Sequence, residues 1–153
     1  MVLSQIFLAL GEATFSELLK TVSMGKLRTY QLFERVKVRS HLGKLNAESL
    51  RKAAPRLWTR LGAGEEELAQ DLAQAILVSN LGLVKEALDV LGIPNEDGFF
   101  AKDINASSYL SAGWQQRVYD ALKDKHRPGA IVFYVNHLAW ELDKNAEMFT
   151  PAA

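Results

Sequence analysis

Apolar stripes at helical spacing, punctuated by glycine, constrain this chain most. Leu50, Ala54, Leu57, Trp58 and Leu61 recur at i, i+4, i+7, i+8 and i+11. Leu68, Leu72, Ala73 and Ile76 also keep to one side of a helix, as do Leu110, Trp114, Val118 and Leu122 at every fourth position. Each stripe covers one side of a helix, so the helices must bury their stripes on one another. Five of the ten glycines follow leucine, at Leu10-Gly11, Leu42-Gly43, Leu61-Gly62, Leu81-Gly82 and Leu91-Gly92. Helices commonly end on a left-handed glycine just past a buried apolar residue, so these dipeptides predict helix ends.

Helix starts are also marked. Thr14-Phe-Ser-Glu17 has capping-box spacing, Asn46 suits an N-cap, and Glu65, Glu66 and Glu67 suit the positive end of a helix dipole. Ser107 or Ser108 suits the cap of the helix holding Trp114. Lys123, Lys125, His126 and Arg127 suit its last turn, and Pro128-Gly129 suits its stop. Pro55 predicts either a kink or the first position of a short helix. Two stretches are double-valued. Residues 35–39 alternate with period two, as a half-exposed strand does. Residues 131–135 are β-branched and aromatic, but Ile131, Tyr134, Val135, Leu138 and Leu142 keep helical spacing, which predicts a helix over 130–144.

The expected fold is therefore all-α: a single domain, 1–153, forming a compact multi-helix bundle of seven or eight helices. The alternation allows a small β-hairpin near 35–45. Within the domain a basic part, 1–62, and an acidic, aromatic-rich part, 65–153, are distinguishable, and the longest connection is 93–106. Phe99-Phe100, at the end of the turn in that connection, is expected to dock on the core.

The charge is polarised. The 18 basic and 18 acidic side chains sum to zero. Residues 1–64, however, hold eleven basic and four acidic groups, a net of +7. Residues 65–153 hold seven and fourteen, a net of −7. Such asymmetry points to a nucleic-acid surface or to complementary faces that meet. The chain has no cysteine, which excludes disulfides, thiolate nucleophiles and Cys-ligated metals. The apolar run at the start ends at Leu10 without a basic n-region, and no run reaches the roughly 20 residues a spanning helix needs. A cytoplasmic protein with no membrane partner is the expectation.

Residues 2–44 order a short apolar helix, a capped helix over 15–21, a Val22-Ser-Met-Gly25 turn, a helix over 26–35, the alternating segment and a His41-Leu-Gly-Lys44 turn. This order resembles the N-terminal part of winged helix-turn-helix regulators. The resemblance implies that the second helix enters a major groove of double-stranded DNA. Lys26, Arg28, Thr29, Gln31 and Arg35 would lie on that helix, and Lys37, Arg39 and Lys44 on the wing. The chain departs from the pattern after Gly43, where Asn46 starts a helix in place of a second wing strand. A further ridge, Lys52, Arg56 and Arg60, recurs every four residues opposite the Leu50–Leu61 stripe and suits phosphates or acidic side chains.

Catalytic signatures are sparse. There is no Gly-x-Ser-x-Gly elbow. Gly25-Lys26 and Gly43-Lys44 are followed by leucine and lack the earlier P-loop glycine. Asn95-Glu-Asp-Gly98 aligned as a calcium loop puts Ile93 and Ile104 at ligand positions. No cofactor is implied. His137 and Glu141, at i and i+4, are the one acid–base pair on a helix face. Seven of the fourteen aromatics lie at 109–149, at spacing that suits a core.

Three functions follow in order. The first is a non-enzymatic interaction or assembly protein, meeting itself as a homo-oligomer, or another protein, through complementary faces. The second is a DNA-binding regulator with a C-terminal dimerisation or ligand-sensing part. The third is a small helical enzyme using His137 and Glu141.

Overall fold

The computed structural model describes residues 2–22, 53–101 and 103–152. Seven α-helices and one two-stranded antiparallel hairpin are described, so the protein is mostly α-helical, as expected. The chain divides into two units, Val2–Asn80 and Leu81–Ala153.

The first unit contains α1 (Leu3–Leu10), α2 (Glu12–Lys20), α3 (Ala54–Gly62) and α4 (Glu66–Ser79). Helix α1 packs on the other three, α2 packs on α3, and α3 on α4. The apolar stripes meet as their spacing predicts: Leu57, Leu61, Leu68, Leu72, Ala73 and Ile76 are all buried. Phe7 meets Phe15 edge-on, with centroids 5.4 Å apart at 82°, and Phe15 leans on Trp58 at 5.6 Å. Two polar links close this core. The N–H of buried Ser4, in the first turn of α1, donates to both oxygens of Glu66 at 3.2 and 3.1 Å. One carboxylate thus satisfies an orphan donor of a neighbouring helix while sitting in the first turn of its own. At the other end, Asn80 Nδ2 donates to Thr21 Oγ1 and Ile76 O, tying the ends of α2 and α4.

The second unit contains α5 (Leu81–Leu91), β1 (Asn95–Glu96), β2 (Phe99–Phe100), a 3-10 turn (Ala106–Tyr109), α6 (Trp114–Leu122) and α7 (Pro128–Leu142). Helix α6 packs on both α5 and α7, and β1 packs on α5. The helical reading of 131–135 holds. Helix α7 buries ten consecutive residues from Ala130 to Ala139, so its β-branched run is a fully buried helix face and not a strand.

Several boundaries differ from the sequence reading. Helix α2 starts at Glu12 with Gly11 as its cap, so Thr14 lies inside it. Leu81-Gly82 begins α5 and does not end a helix. Leu61-Gly62 is helical, and the left-handed residue is Gly64 (φ +82°). Gly113, left-handed at φ +80°, caps α6, while Ser107 and Ser108 lie in the 3-10 turn before it. Pro128 stops nothing: it occupies the first turn of α7, where its missing N–H costs no hydrogen bond. Leu91-Gly92 does end its helix as predicted. Gly92 N–H bonds Asp89 O and Ile93 N–H bonds Leu88 O, with Gly92 at φ +73°, a Schellman arrangement over buried Leu88 and Ile93. Pro55 falls in the first turn of α3, the second of its two expected places. The alternating segment near 35–45 lies outside the described residues.

The connection 93–106 holds the hairpin. Its two-residue turn is Asp97-Gly98, with φ +51° and +96°, the positive pair that a primed turn requires. A Cβ on Gly98 would sit 3.2 Å from Leu81 O and 3.4 Å from Val84 Cγ1. Gly98→Ala is therefore expected to lower stability by about 1–3 kcal/mol through backbone strain and that contact. Urea denaturation measures this, and an unchanged midpoint would contradict the packing.

Candidate functional site

Helix α7 carries Tyr134, His137 and Glu141 at i, i+3 and i+7, one face of a helix. Tyr134 and His137 are buried, and Glu141 reaches the surface. The His137 ring lies between Phe133 and Trp140, with centroids 6.0 and 5.7 Å away. The Lys144 ammonium caps Trp140, 3.4 Å from its ring centre. Burial, and secondarily the charge of Lys144, pushes the His137 imidazole down from 6.5 to about 4. Desolvation raises the Glu141 carboxyl, with Lys144 pulling it back, although much of this side chain is exposed. Desolvation, and then the Glu141 charge, also keeps the Tyr134 hydroxyl protonated.

The predicted pair is thus brought to one face as a neutral imidazole and a carboxyl of raised affinity for protons. Among the described residues no group of three or more His, Asp or Glu side chains is placed to hold a metal ion. A cleft of about 340 Å³ lies in the other unit, lined by Arg60, Glu65, Glu66, Glu67, Leu68 and Asp71.

Of the basic candidates, Lys26, Arg28, Thr29, Gln31, Arg35, Lys37, Arg39, Lys44 and Lys52 lie outside the described residues. Arg56 is exposed on α3. Arg60 folds back on Glu65, donating from Nε at 2.9 Å and from Nη2 at 2.7 Å, and this contact raises its pKa. Its partner is local, five residues away. His126, expected at a helix end as a dipole partner, instead hydrogen-bonds the Glu86 carboxylate through Nε2 and so clasps α5 to the turn after α6. Lys125 reaches the same carboxylate at 4.0 Å.

Among the described residues the most exposed aromatics are Phe99 and Phe100, at 44% and 40%, where the sequence predicts docking on the core. Neighbouring residues in a strand point to opposite faces, so a two-residue strand of two phenylalanines cannot bury both on one core. The hairpin is nevertheless held firmly. Asn95 Nδ2 donates to Asp89 Oδ1 and Ile93 O, and Asn95 Oδ1 accepts from Gly98 N–H. Ala101 N–H donates to Pro94 O. Lys85 and Asn95 together hold the Asp89 carboxyl below its ordinary value, Lys85 being the larger cause. Glu96, Asp97 and Asp103 around the hairpin are exposed.

No protein-family model matches the chain, and no curated protein or solved structure shows significant similarity to it. No helix among the described residues is long and apolar enough to cross a membrane.

The titration of His137 gives a signed prediction. Unfolded histidine binds its proton near pH 6.5, whereas folded His137 binds it only near 4. The unfolded chain therefore holds more protons between those values, and folding stability falls as pH drops from 6.5 toward 4. The upper limit is on the order of 3 kcal/mol. Glu141 acts in the opposite sense, its contribution being lost as pH rises through the carboxyl range. His137→Gln is expected to flatten the stability profile between pH 6.5 and 4, read from urea midpoints. An unaltered slope would show that His137 does not set it.

Proposed function

We propose that this protein is a non-enzymatic interaction and assembly module that self-associates, with the Phe99–Phe100 hairpin of one copy docking on the basic N-terminal part of another. The observation that carries this reading is the exposed phenylalanine pair on an anchored hairpin. Aromatic side chains supply most of the energy of protein interfaces, and a preformed element loses little entropy on docking. Chemistry at the hairpin selects the partner surface. Glu96, Asp97 and Asp103, close to the phenylalanines in sequence, are exposed acidic side chains.

Complementary charge exists on the same chain. The Val2–Asn80 unit carries eleven basic and eight acidic side chains, a net of +3. The Leu81–Ala153 unit carries seven and ten, a net of −3. Eight of the eleven cations fall within 26–52, including Lys26, Arg28, Arg35 and Lys52. Several acids elsewhere in the second unit are engaged locally: Asp89 by Lys85, Asp120 by Lys123, and Glu86 by Lys125 and His126. The hairpin acids are exposed and lie next in sequence to the exposed phenylalanines, which favours this face as the docking element. Opposite charges across such an interface speed encounter and fix register.

Light scattering over a concentration series tests the reading. The chain is expected to self-associate at low salt and to dissociate as salt screens the charges. Phe99→Ser combined with Phe100→Ser is expected to weaken association about tenfold or more. A monomer at every concentration and salt level, or a double variant that associates as the parent does, overturns it.

A further inference from the structure

The main chain of the hairpin leaves one edge open. In an antiparallel pair, opposed residues alternate between exchanging main-chain hydrogen bonds and directing those groups outward. The two-residue turn makes Glu96 and Phe99 the closing bonded pair, and the bond from Ala101 N–H to Pro94 O marks the next one. The pair between them, Asn95 and Phe100, therefore directs its main-chain groups away from the hairpin. On the β2 side, Phe100 N–H and C=O have no hydrogen-bond partner among the described residues. Strand β1 is the one packed on α5, and no described strand pairs with the outer edge of β2. An open edge of this kind is a template for a further strand.

Register also sorts the side chains. Opposed residues share a face of the hairpin, and neighbours along a strand do not. Phe99 thus shares a face with Glu96, and Phe100 shares the other face with Asn95. A strand added beside β2 would present its own alternate residues to these two faces. Cations suit the first, where an aromatic ring and a carboxylate both attract them. Branched apolar side chains suit the second, beside Phe100. Arg35-Val-Lys-Val-Arg39, which lies outside the described residues, has this alternation in its sequence. No other five-residue stretch of the chain alternates basic with β-branched residues, and this one falls within the basic stretch on which the self-association reading places the partner surface.

We propose that the hairpin docks by strand addition at β2, and that the added strand is residues 35–39 of a second copy. Arg35, Lys37 and Arg39 then take the Phe99–Glu96 face, and Val36 and Val38 take the Phe100 face. Main-chain bonds to Phe100 set the register, and the alternating side chains select the partner, the division of labour usual in strand addition. This inference rests on the self-association reading and names the segment that docks.

The test adds a peptide of the sequence 33–41 to the full-length chain at a concentration where the chain is monomeric, and reads amide exchange residue by residue. The Phe100 amide is expected to exchange freely in the monomer and to slow several-fold with the peptide. The Ala101 amide, already bonded to Pro94, should change much less. At higher chain concentration the same peptide should reduce self-association in light scattering. A peptide of identical composition with its two valines placed side by side should do neither. Equal protection of Phe100 by that peptide assigns the effect to charge alone and overturns strand addition. A Phe100 amide already protected in the monomer overturns it too. So does an unchanged Phe100 amide in a chain whose self-association is abolished by Phe99→Ser with Phe100→Ser, a result that leaves the docking reading standing. A parent chain that never self-associates overturns both.

Discussion

The second unit depends on the burial of α7. Ten successive residues of this helix are inaccessible, and four of its central positions, Tyr134, Asn136, His137 and Phe133, are large or polar groups that water cannot reach freely. Burial on that scale is favourable only if each polar group finds a state that tolerates it. Asn136 does so by binding the backbone of Phe149, which obliges the C-terminal segment to turn back. His137 does so by staying neutral between two aromatic rings. Tyr134 keeps its proton. The course of residues 143–152 and the acid sensitivity expected of the fold both follow from one apolar helix carrying three polar side chains.

The hairpin obeys the opposite logic. Its two phenylalanines stay 44% and 40% exposed, yet Asn95, Gly98 and the Pro94–Ala101 bond fix it against α5. Exposed apolar surface on an ordered, acid-flanked element carries a solubility cost that a docking role would offset. The two features divide the unit's work. One apolar surface is sealed and sets the architecture, and the other stays partly exposed, which is the surface the proposed docking would use.

Much of this architecture was legible in the sequence. The stripes containing Leu57, Leu72 and Val118 bury as their 3.6-residue spacing requires, and the helix over 131–135 followed from the continuation to Leu138 and Leu142. Glycine was harder to read. Gly92 ends a helix and Gly82 stands in the first turn of one, although both follow leucine, because the dipeptide does not reveal whether the next residues can continue the turn. The hairpin was legible in principle: Asp97-Gly98 is the residue pair that a two-residue primed turn favours. The sequence reading placed a turn there but not the two strands, which are only two residues each. Adjacent phenylalanines in a short strand were also a sign of exposure. Glu66 capping Ser4 and Asn136 gripping Phe149 join residues far apart in the chain, and no local pattern encodes such partners. His137 and Glu141 were rightly placed on one face, but their protonation states depend first on how deeply the folded unit buries them, which local spacing does not encode, and then on Lys144.

The central claim is that the Phe99–Phe100 hairpin is a docking surface for a second copy. Amide hydrogen exchange at low and high protein concentration tests it most directly, because exchange reports protection residue by residue. The account predicts that amides of 95–101, together with amides in the basic stretch 26–52, exchange more slowly at high concentration and regain their rates in high salt. Exchange in 95–101 that is independent of concentration would contradict it.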